Sequence, residues 1–400
     1  MKWLTFTVLF AFLFFGAAGQ PGGGVAGGGA AVQPGTVGVM QGVNLPLDSV
    51  GQDQLVKSLE GWLLRVRDTA NAYTAGEDRA ATRLLQYELW NMERNSSLKD
   101  TAFYTCWLTN AILQDSGQLL VQLSYIGVRD GRPLLRASYD VVARRSGDRW
   151  TFCSPLARHT VGWKSRQIGN CLFHYKTVFN VDKAREYEER IAFFDRKLKA
   201  PPSTLDFYSC DDLVEACHLI GVEYKLDYSG ISHDDFSASD AGHTVVVNGN
   251  LSTDDFNHWD PHDTWHDRLH RVLSTRIINR PVDEGSAYLF GGSWQVYTWA
   301  EILGMMKAYA GEHPDADWLS LYKDAANLVP PPKIIKISYV INALIIQQLD
   351  KEGRWPAVIA LLGCGPKEPG DANYFAALKN ITGVDTAGFN AYVWGLVRSR

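Results

Sequence analysis

Residues 260–273 read DPHDTWHDRLHRVL. They carry three histidines at a spacing of four, His262, His266 and His270, and the first two are each followed by an aspartate, Asp263 and Asp267. On a helix, residues four apart differ by about 40° around the axis, so His262 and His266 share one face. Two imidazoles one turn apart make a bidentate clamp for a metal. Pro261 suits the first turn of that helix and Asp260 suits its N-cap, so the helix is expected to begin just before His262.

A catalytic zinc needs a third protein ligand and leaves one position for water. The next acidic residues are Asp283 and Glu284, in RPVDEGSAYLFGGS at 280–293. Glu284 lies 18 residues after His266. That gap lets the first helix end, turn through Asn279, Arg280 and Pro281, and hand over to a second helix that returns beside it. Gly285 is expected to let the two helices approach closely. A second register uses His266, Asp267 and His270, which shortens the gap to Glu284 to 14 residues and removes Pro261 from the pattern. The longer gap favours the first register. His270 then sits above the site as a substrate contact, or is a plain surface residue. Asp267, Arg268 and Arg271 read as solvated charges on the far face, and Trp259 and Trp265 as packing. Tyr288, one turn after Glu284, is placed either to polarise a carbonyl or to fill the core.

The frame around these helices is ordinary for a globular chain: 400 residues, 46% hydrophobic and 21% charged, enough for two domains. A net charge of −5 gives no electrostatic case for nucleic acid. MKWLTFTVLFAFLFFGAAGQ opens with one early lysine and an apolar run from Leu4 to Phe15, then places Ala17 and Gly19 ahead of a cut before Gln20. This predicts a signal peptide over 1–19, too short to span a bilayer. The protein is therefore expected to be secreted or periplasmic, with no stable membrane anchor after cleavage. Residues 20–47, rich in Gly, Ala and Pro, read as a flexible tether. Export permits disulfides among the six cysteines, and the expectation is buried thiols with one or two bridges. Cys210 and Cys217 fall in SCDDLVEACHLIG, which reads as a helix with Ser209 as N-cap and Gly221 as stop. Helical rise would separate them by about 10 Å, beyond bonding reach, unless Cys210 lies outside the helix.

From residue 48 to 160 the pattern is helices, then strands. Leu55, Leu59, Trp62, Leu63 and Val66 share a helical face, and a second helix is predicted over 77–92. Strands are predicted at 118–128, 133–145 and 149–153, the first two joined by Arg129, Asp130, Gly131 and Arg132. Helices followed by a long antiparallel meander resemble an NTF2-like domain, with bracing of a neighbour as the default role.

From 161 to 400 strands are predicted at 169–180, 203–210 and 242–249, a helix at 181–200 stopped by Pro201 and Pro202, and a mostly helical tail. Within that tail KIIKISYVINALIIQQL, 333–349, reads as a core helix. SGISHDDFSASDAGH, 229–243, reads as a solvated loop.

PHDTWH at 261–266 and DEGSAYLFGGS at 283–293, after GNCLFHY and TVVVNGN, resemble the gluzincin metallopeptidases of the peptidase-MA-like type. That family carries H-E-x-x-H and then a glutamate in an E-G-x-A setting. The resemblance covers residues 165–300, with weaker coverage to the C-terminus. It implies an α+β protein in which a zincin-like domain follows the NTF2-like one. It implies one zinc per chain held by His262, His266 and Glu284, with Asp263 in the place of the general base. Asp283, His270 and Tyr288 are implied as flanking residues that meet substrate or support the ligands. The departure is the base itself. Aspartate is one methylene shorter than glutamate, which moves its oxygens by about 1–1.5 Å, and a misplacement of about 1 Å can cost on the order of a hundredfold in rate. The expected function is zinc-dependent hydrolysis of a peptide or protein. The alternative is a catalytically silent homologue that binds a peptide or protein. The strand at 242–249 is expected to pair with an extended substrate.

Overall fold

The computed structural model describes residues 35–76, 78–114, 117–232, 234–249, 259–294, 296–331 and 333–399. The leader expected over 1–19, and residues 20–34 of the tether, lie outside these. The chain is a mixed α/β protein with two sheets and a helical C-terminal part.

The tether is shorter than expected. Val37–Val39 forms β1, which runs parallel to a later strand and buries Val37. Gly38 permits this, because a Cβ there would stand 2.7 Å from the Trp107 ring. α1 (Ser49–Leu64) begins where the Asp48 side chain accepts from Gly51 N, and it buries Leu55, Leu59, Trp62 and Leu63 as predicted. α2 (Arg79–Leu89) buries Leu84, Leu85 and Leu89. Both pack on a meander of β2 (Thr105–Leu113), β3 (Leu119–Arg129), β4 (Arg132–Ser146) and β5 (Arg149–Cys153). The β3–β4 turn is a two-residue hairpin in which Asp130 and Gly131 both take positive φ, 52° and 71°. That is the turn whose twist matches the flanking strands.

A helical turn, α3 (Leu156–His159), leads into β6 (Lys164–Ile168), β7 (Cys171–Tyr175), α4 (Val181–Leu198) and β8 (Thr204–Ser209). α5 (Leu213–Ile220) is capped by Asp212, which accepts from Glu215 N at 2.8 Å. The predicted cap, Ser209, still belongs to β8, so Cys210 lies outside the helix. All six cysteines are free thiols, which corrects the expectation of one or two bridges. β9 (Val222–Lys225) then crosses back to pair antiparallel with Ala137–Tyr139 of β4. The first sheet thus takes a strand from beyond residue 160.

β10 (Asp235–Asp240) and β11 (His243–Asn248) complete the second sheet, ordered β10-β11-β8-β7-β6. The stretch read as a solvated loop therefore yields the edge strand β10. β11, expected to receive a substrate strand, is hydrogen-bonded to β10 on one side and β8 on the other, so it has no free edge. This sheet is a shared layer. Tyr208, Val245 and Val247 face the core of the first sheet, while Leu205, Phe207 and Val246 face α4. Strand periodicity of two does this sorting. Arg79 and Arg83 of α2 both bind Asp240 at the end of β10.

α6 (Pro261–Val272) and α7 (Arg280–Gly291) follow, and then α8 (Trp299–Glu312), α9 (Trp318–Lys323), α10 (Ile337–Lys351), α11 (Trp355–Leu362), α12 (Ala372–Thr382) and α13 (Phe389–Arg398). α10 is buried along most of its length, as expected of a core helix. Among the described residues no helix is long and apolar enough to cross a membrane. α6 is anchored to α4. Trp265 sits edge-on to Phe194 at 5.1 Å. Arg268, expected in solvent, is 1% exposed and grips Asp195 with two hydrogen bonds of 2.7 and 2.6 Å. Its neighbour Arg271 reaches Ser203 Oγ at 2.6 Å, so this face of the helix is packed rather than solvated.

Removing one partner of such a pair leaves a buried charge uncompensated. Asp195→Ala should lower stability by about 3 kcal/mol, the low end for a buried pair because Asp195 is partly exposed. Urea unfolding monitored by circular dichroism checks this, and Asp195→Leu with Arg268→Met should recover most of the loss.

Candidate metal centre

α6 and α7 hold the centre, and their sequences dictate how close they come. Asp260 Oδ1 accepts from His262 N at 2.8 Å and fixes the start of α6 one residue before the first histidine. At Gly291, the last residue of α7, a Cβ would lie 2.5 Å from both Cα and N of His262. No side chain fits there. Gly292 then leaves the helix at φ 82°, and its carbonyl accepts from His262 Nδ1 at 2.8 Å. Gly285, expected to serve this approach, faces α10 instead. Its Cβ would meet Asn342 Cβ, Tyr339 O and Ala343 N at 2.7, 2.7 and 2.9 Å. Two glycines of one helix thus serve two different neighbours.

Beyond the backbone, Trp265 Nε1 donates to Ser286 Oγ at 2.7 Å, and that hydroxyl donates to the Asp283 carbonyl at 2.6 Å. The chain of bonds ties α6 to the first turns of α7, where Asp283 and Glu284 stand. Asp283 Oδ1 then binds His266 Nδ1 at 2.7 Å, and Oδ2 binds His270 Nε2 at 3.2 Å. Burial opposes the charge of Asp283, but the hydrogen bonds and charges of the two imidazoles outweigh it and hold the carboxyl well below its usual range. For His266 burial works against the cation, and the Asp283 hydrogen bond with the charges of Asp283, Glu284 and Asp263 reverses this and raises its pKa.

Proton bookkeeping on the two histidines follows from their partners. Nδ1 of His262 faces a carbonyl oxygen and Nδ1 of His266 a carboxylate oxygen, and neither acceptor has a proton to give. Each Nδ1 therefore carries the hydrogen, an assignment made from the network. In the neutral rings both Nε2 atoms are bare lone pairs, and they stand 3.2 Å apart. Glu284 Oε2 joins them at 3.5 Å from His262 Nε2 and 3.9 Å from His266 Nε2. It is buried and has no hydrogen bond. Burial raises the Glu284 pKa, and the nearby imidazoles of His262 and His266, with Arg280, pull it below the ordinary value. A tetrahedral ion with ligands at 2.0–2.2 Å has ligand–ligand edges of about 3.3–3.6 Å. The three separations, 3.2, 3.5 and 3.9 Å, bracket that range, so the group could hold an ion of zinc's size. Without a metal ion or a proton on His266, three acceptors would converge.

The structure gathers His262, His266 and Glu284 in the first register. His270 instead shares Asp283 with His266 on the exposed side. Tyr288 is fully buried with its ring 5.8 Å from that of His262, and burial raises its hydroxyl pKa. Asp263 is half-buried, and its Oδ1 accepts from the indole of Trp294 at 3.2 Å. Asp267 is not a solvated far-face charge. It binds Ser237 of β10, and burial with the charge of Asp263 overcomes that bond to push its carboxyl up to about 6. Asp260 is likewise raised to about 6, by burial and then by Asp263. Gly291 and Gly292 entered the sequence reading only as part of the DEGSAYLFGGS match, with no steric role, and Trp294, directly after it, was passed over.

A zinc ion held by these residues would have to displace the proton that His266 holds more tightly than an ordinary imidazole does. Zinc affinity is therefore expected to rise with pH and to fall away in acid as His266 protonates. Asp283→Asn should weaken zinc about tenfold at neutral pH, yet move the acid loss to lower pH, because the group that raises His266 is gone. Competition against a chelating indicator across a pH series checks both signs. Gly291→Ala should abolish zinc binding by forcing α6 and α7 apart. A scan against protein-family models and a search of curated proteins found no match for the chain.

Proposed function

We propose that the protein is a zinc-dependent peptidase of gluzincin type, carried on a zincin-like unit that an NTF2-like unit braces. The observation that supports it best is the convergence of two bare imidazole nitrogens and a hydrogen-bond-free carboxylate oxygen on one point, with both imidazoles pinned from behind. His262, His266 and Glu284 would hold the ion, and Asp283 would orient His266. Zinc bound there supplies a Lewis acid in a site partly shielded from water. Asp263 accepts the proton of the attacking water on a carboxylate oxygen and returns it to the leaving amine. Substrate is a peptide or protein, and any strand pairing falls to the β10 edge rather than to β11. The leader composition supports export, to the periplasm or beyond.

One observation favours a second reading, a silent homologue that binds peptide or protein. Asp263 is the shorter acid, and one of its oxygens is already engaged by Trp294.

Purified protein is expected to contain about one zinc per chain, lost in the His262→Ala/His266→Ala variant, by elemental analysis. Absence of metal after zinc incubation sinks the peptidase reading. Asp263→Glu should raise hydrolysis of a peptide library at least tenfold. Bound zinc with no activity in either form would favour the silent homologue.

A further inference from the structure

Trp294 follows the glycine pair that closes α7, and four features of it coincide. Its backbone sits at φ 41°, the left-handed region that bulky side chains avoid. The residues that flank it are hydrogen-bonded: Ser293 N donates to Tyr297 O at 2.8 Å and Val296 N to Ser293 O at 2.7 Å. The side chain is 41% exposed, unusual for a residue held at such cost. Its ring lies 4.2 Å from the His262 ring, and its Nε1–H points at Asp263 Oδ1. A large apolar residue kept in an unfavourable conformation at a polar site is a sign of function rather than of packing.

We propose that Trp294 is a positioning residue for Asp263. Its indole N–H fixes one carboxylate oxygen and so sets the direction of the other. Its ring packs against that of His262, which is fully buried. A glutamate would reach the site by length. The shorter aspartate reaches it by orientation, and Trp294 supplies the orientation from the opposite helix end. Gly291 sets the backbone against α6, and from there the chain at φ 41° places the indole on Asp263. The role of Asp263 in this account rests on the peptidase reading, but the orienting contact does not.

The test separates the two. Trp294→Phe keeps the ring and removes the N–H. In the indole 1H–15N spectrum, the cross-peak that disappears in Trp294→Phe should shift when Asp263→Asn is introduced into the otherwise native protein. A cross-peak that ignores Asp263→Asn overturns the proposal whether or not the protein hydrolyses anything. Zinc affinity, measured with zinc alone against a chelating indicator, should change less than about threefold in Trp294→Phe, since the three ligands do not depend on the indole N–H. A loss of about tenfold or more would recast Trp294 as a support for His262 and overturn its role on Asp263. On a hydrolysed peptide, Trp294→Phe should lower kcat about tenfold at constant KM, with no further loss in the Asp263→Asn background. A loss confined to KM, or one additive with Asp263→Asn, overturns it. If zinc binds and no peptide is cut, the peptidase reading fails, and the proposal is decided by the spectrum.

Discussion

Everything at the centre depends on one steric fact: the end of α7 lies directly on the backbone of the first turn of α6. Gly291 makes the contact possible and Gly292 converts it into a hydrogen bond on His262. Once that distance is set, Glu284 and the two histidines have little choice of separation. Helical geometry spaces the histidines along one face, and the packing of α7 against both α6 and α10 brings in the carboxylate. The ligand triangle is thus a result of backbone packing, and side-chain rotamers make only the final adjustment.

Electrostatics then sorts the acids. Glu284, Asp283, Asp263, Asp260 and Asp267 crowd around the candidate metal centre. Such crowding cannot be tolerated by simple ionisation of every group. Asp283 resolves it by binding two imidazoles and staying charged. Asp260 and Asp267 resolve it the other way, with carboxyls that hold their protons more tightly than usual. Arg268 stands outside this arrangement: it binds Asp195 and Ser203, which makes it a fastener of α6 rather than part of the charge balance of the site.

The parts of this that could be read in the sequence were those governed by local periodicity. α1, α2, β3, β4, β5, α4, α6 and α10 appear where apolar spacing and caps predicted them. His262, His266 and Glu284 were legible because spacing of four on a helix and a return helix are both local rules. What escaped was set by tertiary context. β6 and β10 are short, polar arms of tight hairpins with β7 and β11, β2 lacks a clean alternation of apolar residues, and only β9 has a distant partner, β4, so local pattern did not announce them. Arg268 looked like a surface residue because its partner, Asp195, lies on a different helix. The role of Gly285 was misassigned because which neighbour a helical glycine meets depends on packing on all sides. The six thiols stay free, although Cys106, Cys210 and Cys217 share the core of the first sheet.

The return of β9 to the first sheet has a consequence for how the chain is made. When the ribosome has released residues up to about 160, β4 still lacks its partner along Ala137–Tyr139, and the inner face of the first core still lacks α5 and the strands β10 and β11. An uncovered strand edge beside exposed apolar surface is a template for misassociation. The first unit therefore cannot finish folding as it emerges, and must wait for some ninety more residues.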